Sequence, residues 1–256
     1  RSCRDRIVVA TKGGHPDFET KASGVTRETV LRHVRESLDH LRTDYIDLYW
    51  LHRDDRSIPV GEILGWLAEP VAQGLIRAVG CSHWRTDRLA QALSIARRSN
   101  LPLVRASQIA WSLARAKVAR SEGPYGEQLA MDDDTHAFHV ESGLAVAAYN
   151  SQAGGFFAAK YDDIDPTSPD FPNPGLAARF ADKLNVRRRR LARRMATEKG
   201  CSTNQVALAW LLHQPFPTFA IVGPRTMEQL EDSMGAARVS LDNGEVERLR
   251  RGDESG

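Results

Sequence analysis

Short apolar runs alternate with longer amphipathic segments along most of this chain, and this alternation limits the folds available to it. The runs are rich in β-branched and aromatic residues and lack helical periodicity, which is typical of buried strands. We predict six strands, at 7–11, 45–52, 76–82, 104–113, 144–150 and 218–222. Between them apolar residues recur at helical spacing, as at Val30, Val34, Leu38 and Leu41. The pattern predicts an α/β protein with a parallel sheet and right-handed crossovers.

A closed (β/α)8 TIM barrel and a doubly wound open sheet both alternate strands with helices. The open sheet normally carries a G-x-G-x-x-G turn after a strand, and this sequence has none. The barrel is therefore preferred. A barrel of eight units takes ~250 residues or more, so about six of the eight βα units are expected here, with two upstream of Arg1. We predict a single domain over residues 1–256, with a long Pro- and Asp-rich loop at about 160–175.

The charge balance gives no reason to expect a nucleic acid or membrane partner. The chain has 35 Lys and Arg against 33 Asp and Glu, a net charge of +2. The arginine run at 187–190, with Arg193 and Arg194, is interpreted as a solvated helix face. Three widely spaced cysteines without a C-x-x-C pair indicate neither a disulfide framework nor a metal site and favour a reducing cytoplasm. No apolar stretch is long enough to span a membrane.

Two predicted strands end on side chains that chemistry could use. Lys12 follows the first strand, and His52 ends the second. The C-terminal ends of barrel strands form the face on which this architecture builds its active sites. Taken singly, a lysine at a strand end is usually solvated, and a histidine after an apolar run is usually a core group. The pair together indicates part of an active site.

Seven short segments, in order along the chain, resemble the aldo-keto reductases. They are Ala10 to Lys12, Leu51 to Arg53, Gly80 to Trp84, Gln108 to Leu113, Ala148 to Asn150 with Gly154 and Gly155, Ala207 to Leu211, and Ile221 to Arg225. The resemblance extends over nearly the whole chain. It implies a (β/α)8 barrel that binds NADP(H) without a Rossmann unit and transfers hydride between the nicotinamide and a carbonyl or alcohol carbon.

The resemblance also implies catalytic roles. The family's proton donor is a tyrosine, acidified by a lysine that an aspartate holds in place, while a histidine orients the carbonyl oxygen. Lys12 matches that lysine and His52 that histidine. A neighbouring cation lowers the pKa of a phenol because it favours the phenolate. The matching aspartate and tyrosine are expected upstream of Arg1, because none of the chain's own tyrosines suits the role: Tyr45, Tyr49, Tyr125, Tyr149 and Tyr161.

The residues implied for cofactor binding lie after the later strands and at the start of the last matched helix. The positions are Ser82, His83 and Gln108 for the carboxamide, Tyr149 for stacking on the nicotinamide, Gly154 and Gly155 for the pyrophosphate, and Gly223, Pro224, Arg225 and Gln229 for the adenosine ribose phosphate. Arg225 is the candidate for selecting NADP(H) over NAD(H), since a guanidinium binds phosphate through two hydrogen bonds.

The sequence departs from the family pattern in three places. His83 stands where an asparagine is usual, residues 150–152 replace Ser-Pro-Leu, and Ser233 replaces an asparagine near the adenine. The candidate substrate-pocket residues are Trp50, Trp84 and Trp111. These aromatic rings suit a hydrophobic or sugar-like carbonyl, and they are equally compatible with core packing.

Two functions remain open. The first is an NADP(H)-dependent enzyme that reduces an aldehyde, ketone or sugar, and Lys12 with His52 favours it. The second is a nucleotide-binding regulatory protein of the same type with little or no turnover. For these 256 residues alone we expect little reductase activity and poor solubility, because six strands cannot close an eight-stranded barrel.

Overall fold

The computed structural model describes residues 3–117, 120–123, 126–161 and 163–254. Its strands are β1 (Ala10–Gly13), β2 (Ile46–Leu51), β3 (Ile76–Ser82), β4 (Val104–Ala110), β5 (Arg120–Gly123), β6 (Gly126–Leu129), β7 (Ala145–Tyr149) and β8 (Thr218–Ala220). Its α-helices are α1 (Arg27–Leu41), α2 (Val60–Trp66), α3 (Ala68–Ala72), α4 (Thr86–Ser99), α5 (Asp133–Ser142), α6 (Pro174–Phe180), α7 (Lys183–Lys199), α8 (Thr203–Leu212), α9 (Met227–Gly235) and α10 (Asn243–Arg251).

These elements form two compact units, Arg1–Gln108 with Arg120–Leu129, and Ile109–Ala119 with Ala130–Gly256. In the first unit β1, β2, β3 and β4 pair in that order, each pair parallel, and β5 and β6 form an antiparallel hairpin. In the second unit β7 pairs in parallel with β8. The six-stranded sheet has the order β1-β2-β3-β4-β7-β8, which confirms the predicted α/β class. The prediction of a single domain stays a prediction.

The first unit buries the faces that the sequence pattern assigns to its core. The Thr26 hydroxyl accepts a hydrogen bond from the Thr29 N–H and so caps the start of α1. Val30 and Val34 of α1 are fully buried, as is Ile46 at the start of β2. The predicted stripe is one position too long, because Leu41, in the last turn of α1, is 45% exposed.

The second unit packs α7 and α8 around a core that includes Leu191, Val206 and Leu211. Helix α8 begins with a reciprocal capping box between Ser202 and Gln205. Among the described residues, no helix combines the length and the apolar character that a bilayer crossing requires.

The arginine run of α7 is only partly solvated, so the prediction of a solvated face is wrong for two of its members. Arg188 and Arg189 are buried. Arg188 donates to the carbonyl oxygens of Leu113 and Arg250, and burial lowers its pKa to about 10. Arg193, by contrast, forms an exposed ion pair with Asp163. The run thus stabilises the second unit by tying α7 to neighbouring backbone.

Other local differences have plain physical reasons. Strand β1 begins at Ala10, and Ile7 and Val8 are exposed, because among the described residues the pairing of this segment with β2 starts only at Val9. Helix α10 was not predicted, although Asp242 and Glu245 form the capping box that starts it. The β5–β6 hairpin falls in a polar stretch without the alternation that announces a strand.

Asp47 of β2 anchors the segment that precedes β1. Its carboxylate accepts hydrogen bonds from the Val9 N–H at 3.0 Å, from Arg4 at 2.7 Å and from Arg77 at 3.0 Å. Both guanidinium groups also lie over the Tyr45 ring, 3.8 and 3.6 Å from its centroid. Burial alone would raise the pKa of Asp47, but the hydrogen bonds from Val9 and Arg4 outweigh it and hold the pKa below its usual value.

We expect Asp47→Asn to lower the free energy of unfolding by about 1–3 kcal/mol at neutral pH, since hydrogen bonds to a charged acceptor are the stronger ones. A lowered folded-state pKa stabilises the fold above the unfolded-state pKa, and the stabilisation is lost as the pH falls through the folded-state value. The difference between the two proteins in urea denaturation should therefore shrink below about pH 4. Asp44→Asn, at an exposed position, is the control. A pH-independent difference would contradict the prediction.

Candidate active site

Strand alternation places Lys12 and Trp50 on the face of the sheet opposite α1. The Thr11 hydroxyl lies 3.3 Å from that of Ser37 on α1, and the Tyr49 hydroxyl donates to the Val30 carbonyl at 3.2 Å. Since successive side chains point to opposite faces, the residues that follow each of these point the other way. Lys12 is in register with Trp50. The two side chains therefore start a row on the inner face of the first unit.

The same row continues through a glycine that makes room for the tryptophan. Trp50 pairs in register with Gly80, and a Cβ at Gly80 would lie 2.4 Å from the indole ring. Such a contact is impossible without displacing the ring, so this position needs glycine. Trp50 is 3% exposed. This contact is core packing, one of the two roles that the sequence left open for Trp50. The other is a role in the substrate pocket.

His52 follows Trp50 by two residues and lies on the same face. Its N–H donates to the Gly13 carbonyl at 2.8 Å, which ties the end of β2 to the end of β1. Partial burial, with Lys12, His15 and Arg53 nearby, lowers the pKa of His52 to about 4. At neutral pH the imidazole is therefore uncharged. The pKa of Lys12 is also lowered, by desolvation first and by the charge of Arg53 second, although its side chain keeps solvent contact.

Ser82 and Gln108 are paired across β3 and β4 and are both buried. The Gln108 carbonyl accepts a hydrogen bond from the Ser82 hydroxyl at 3.3 Å and another from the His83 N–H at 3.1 Å. These contacts hold the end of β3 against β4. The structure thus brings the three predicted carboxamide residues together in one unit.

His83 has an unusual backbone and a defined protonation state. Its φ is +58°, in the left-handed region that residues other than glycine seldom occupy. Its Nδ1 accepts a hydrogen bond from the Leu129 N–H at 2.9 Å. Burial, with the charge of Arg53 and the nearness of His52 and Lys12, lowers the pKa of His83 to about 3. The ring is therefore neutral, and its proton lies on Nε2.

In the second unit, the loop after β7 contains a run of left-handed residues. Asn150, Ala153, Gly154 and Gly155 have φ of 55°, 50°, 64° and 91°. Within this run the Ala153 and Gly155 N–H groups donate to the carbonyl oxygens of Asn150 and Gln152, at 2.8 and 2.9 Å, so the loop closes into a tight turn. Nothing lies within 4 Å of where a Cβ of Gly155 would be, so the space beside this backbone is open. At the head of the loop, the Tyr149 carbonyl accepts a hydrogen bond from the Trp111 N–H.

Two of the departures from the family pattern contact each other. The Gln152 amide donates to the Ser233 hydroxyl and to the Asn204 side chain, each at 3.2 Å. Beside it, the Ser151 hydroxyl donates to the Ile221 carbonyl at 2.6 Å. The changed residues of the loop are therefore matched to their neighbours, and together they fasten the loop to α8, to α9 and to the segment after β8.

The segment after β8 carries the remaining predicted cofactor residues to the start of α9. Gly223, Pro224 and Arg225 precede the cap residue Thr226, whose hydroxyl accepts from the Gln229 N–H. The Gln229 side chain accepts from the Arg225 N–H at 2.9 Å, so it supports this turn. The Arg225 side chain is exposed. An exposed arginine thus directly precedes the cap at the positive end of the α9 dipole, an arrangement that suits a phosphate.

The sequence model of the aldo/keto reductase family matches residues 1–254. This match spans all but the last two residues. The chain belongs to the aldo/keto reductase family. The resemblance inferred from the seven sequence segments is thereby confirmed.

Two similar proteins are named as an oxidoreductase and a reductase. The chain is 30% identical over 246 residues to the Bacillus subtilis protein named uncharacterized oxidoreductase YrpG, covering 93% of this chain and 69% of that protein. It is 26% identical over 239 residues to the L-glyceraldehyde 3-phosphate reductase of Escherichia coli K12, covering 91% of this chain and 65% of the relative. The chain thus spans about two thirds of the length of these relatives.

A solved structure establishes the fold. The crystal structure of the thermostable aldo-keto reductase Tm1743 with the inhibitor epalrestat matches with a TM-score of 0.67 at 23% identity, covering 97% of this chain and 72% of that one. The prediction of the aldo-keto reductase TIM-barrel fold is confirmed.

The two described tyrosines of the first unit, Tyr45 and Tyr49, both make contacts with groups other than Lys12. Tyr49 is buried, faces α1, and has a raised pKa because of that burial. Tyr45 lies beneath the guanidinium groups of Arg4 and Arg77. In the second unit Tyr161 is buried beside Phe171. Tyr125 lies outside the described residues. The expectation that the proton-donating tyrosine, with its lowered pKa, precedes Arg1 stays a prediction.

The two other candidate pocket tryptophans are buried within their own units. Trp84 is 2% exposed and donates from Nε1 to the Arg53 carbonyl at 3.2 Å. Trp111 stacks on Phe216 with 5.7 Å between ring centroids and meets Trp210 edge-on at 5.6 Å. A role in the substrate pocket stays a prediction for both, and their described contacts are those of core residues.

Two charged residues that follow His52 contribute to its surroundings and were not among the predicted site residues. Arg53 is buried and contributes to the lowered pKa values of Lys12, His52 and His83. Asp54 forms a buried ion pair with Arg88 of α4, at 2.7 Å. The sequence did contain a signal for these residues, since the charged residues 53–55 directly follow an apolar strand. Without the fold, nothing showed that the partner of Asp54 would be Arg88.

Proposed function

We propose that this protein reduces a carbonyl compound, an aldehyde, ketone or sugar, with NADP(H) as its cofactor. One observation carries the proposal: Lys12 and His52 lie at the ends of neighbouring parallel strands that are joined by the hydrogen bond from the His52 N–H to the Gly13 carbonyl. In a family of reductases, this pair lies where barrel enzymes place their chemistry.

His52 is suited to hold a carbonyl oxygen. Its pKa of about 4 keeps it neutral across the physiological range, so it can donate one hydrogen bond without placing a charge on the substrate. As charge develops on that oxygen, the Lys12 ammonium favours the anion and any phenolate beside it. The proton-donating tyrosine that the family resemblance implies would use this effect.

The described residues fit NADP(H), which supplies the hydride when it is bound. The open space beside Gly155 would let a pyrophosphate approach the backbone closely. The exposed guanidinium of Arg225 at the start of α9 suits the 2′-phosphate, and Tyr149 is proposed to stack on the nicotinamide. Ser82, Gln108 and His83 are proposed to hold the carboxamide. A neutral His83 protonated on Nε2 provides a donor where the family usually has an asparagine amide.

Titration with NADPH and NADH, followed by fluorescence, tests the cofactor. We expect Arg225→Ala to weaken NADPH binding about 10-fold or more, because charge-assisted hydrogen bonds to the 2′-phosphate are lost, and to leave NADH binding unchanged. Arg187→Ala, an exposed arginine of α7, should change neither affinity. Equal affinity for both nucleotides before and after the Arg225 substitution would overturn the NADP(H) assignment.

Turnover is then measured on the protein as its own gene encodes it, against a panel of aldehydes, ketones and sugars. Oxidation of NADPH that depends on the carbonyl compound supports the proposed reductase. Tight NADPH binding without turnover on any member of the panel would instead favour the regulatory, nucleotide-binding alternative.

A further inference from the structure

An aromatic pair lies directly against His52 and is not needed for any step described above. The His15 ring lies 4.7 Å from the His52 ring, centroid to centroid, at an interplanar angle of 54°. The Phe18 ring stacks on His15, also at 4.7 Å, with an angle of 21°. Phe18 is 68% exposed. The three rings thus form a continuous series from the candidate catalytic histidine to a solvent-exposed aromatic surface.

The loop that carries this pair is held by its own hydrogen bonds. The Asp17 carboxylate accepts from the N–H groups of Glu19 and Thr20, at 2.9 and 2.7 Å, and from the Thr20 hydroxyl at 2.9 Å. The Asp17 backbone bonds to Ala22 and Lys21, at 3.0 and 3.1 Å. These bonds close residues 17–22 into a compact turn, so that the position of Phe18 is set before any ligand arrives.

The base of the loop is fastened at three points. The Gly14 N–H donates to Nδ1 of His33 on α1 at 3.1 Å. A Cβ at Gly24 would lie 1.9 Å from the His15 carbonyl oxygen, so the two ends of the loop approach as closely as glycine allows. The Gly13 carbonyl, at the start of the loop, accepts a hydrogen bond from the His52 N–H at 2.8 Å. The loop and the candidate catalytic histidine are therefore tied to the same framework.

We infer that Phe18 and His15 form one wall of the substrate site and select carbonyl compounds in which a flat apolar group, such as an aromatic ring, is attached to the carbonyl carbon. The inference rests on the proposed reductase function. With its oxygen at His52, such a substrate would place its ring along His15 and Phe18. Burying an exposed aromatic surface and stacking one ring on another both favour that arrangement. Because the loop is already ordered, little entropy is lost when the ligand binds.

The test compares benzaldehyde with propanal, which lacks the ring, using the protein as its gene encodes it. Phe18→Ala should raise KM for benzaldehyde about 10-fold and change kcat little, because the ring acts in binding rather than in proton transfer. Neither constant should change for propanal. Phe18→Tyr, which keeps the ring, should restore the KM for benzaldehyde. Phe219→Ala is the matched control, since Phe219 is 62% exposed but lies on β8 of the other unit.

The outcomes separate the two proposals. Reduction of both aldehydes with a change confined to benzaldehyde supports the wall. If both aldehydes are reduced but Phe18→Ala changes the KM for both equally, or for neither, the proposed wall is wrong. The proposed reductase function is then unaffected. If the unsubstituted protein reduces neither aldehyde and no carbonyl compound in the wider panel, the proposed function is wrong. The proposed wall, which rests on that function, is then wrong too. Thermal melts of each variant confirm that it is folded.

Discussion

Arg88→Ala is expected to lower the free energy of unfolding by about 3–5 kcal/mol, because it leaves the Asp54 carboxylate buried without its cation. The Arg88 and Asp54 side chains are 7% and 9% exposed and meet at 2.7 Å. Arg88 also donates to the carbonyl oxygens of Asp55 and Ile58, at 3.2 and 3.1 Å. One substitution therefore removes an ion pair and two supports of the segment that follows His52.

The same protein provides a matched control for this ion pair. Arg56 and Asp87 also form an Arg–Asp pair, at 3.0 Å, but each side chain is 50% exposed. Solvent screens such a pair, so Arg56→Ala should cost no more than about 1 kcal/mol. Urea denaturation of both variants measures the difference. Equal losses for the two variants would show that burial of the Arg88–Asp54 pair is not what makes it important.

Lys12→Met is expected to lower kcat for carbonyl reduction by about 100-fold or more, since proton transfer by a positioned group commonly contributes that much. Methionine keeps most of the length of the side chain and removes the cation. The affinity for NADPH should change by no more than about twofold, because the proposed role of Lys12 lies in proton transfer and not in cofactor binding. The measurement is steady-state NADPH oxidation beside a fluorescence titration of the cofactor, on the protein as its gene encodes it.

Lys183→Met controls for the loss of one positive charge. Lys183 is an exposed residue at the start of α7. Its substitution should leave both kcat and cofactor affinity unchanged. A kcat for Lys12→Met within about twofold of the unsubstituted protein would remove Lys12 from the proposed chemistry.

Much of the first unit's site could be predicted because successive side chains of a strand point to opposite faces of the sheet. Lys12, Trp50 and His52 share one face of β1 and β2. Ser82, at the end of β3, and Gln108, near the end of β4, likewise share a face, and both sets follow from counting along apolar runs. The exposed Ile7 and Val8 show where this reasoning fails. An apolar residue beside a strand is buried only if a neighbouring element covers it, and the sequence does not show the neighbour.

The sequence by itself determined the alternation of strands and helices, the membership in the aldo/keto reductase family and the strand ends that carry Lys12 and His52. These follow from local periodicity and short motifs, which depend on residues close together in the chain. The tertiary structure alone decided that Arg88 pairs with Asp54, that Gln152 contacts Ser233, and that His15 and Phe18 stack beside His52. The first two contacts join residues far apart in the chain, and the stacked rings depend on how a loop folds back, so no local pattern announces them.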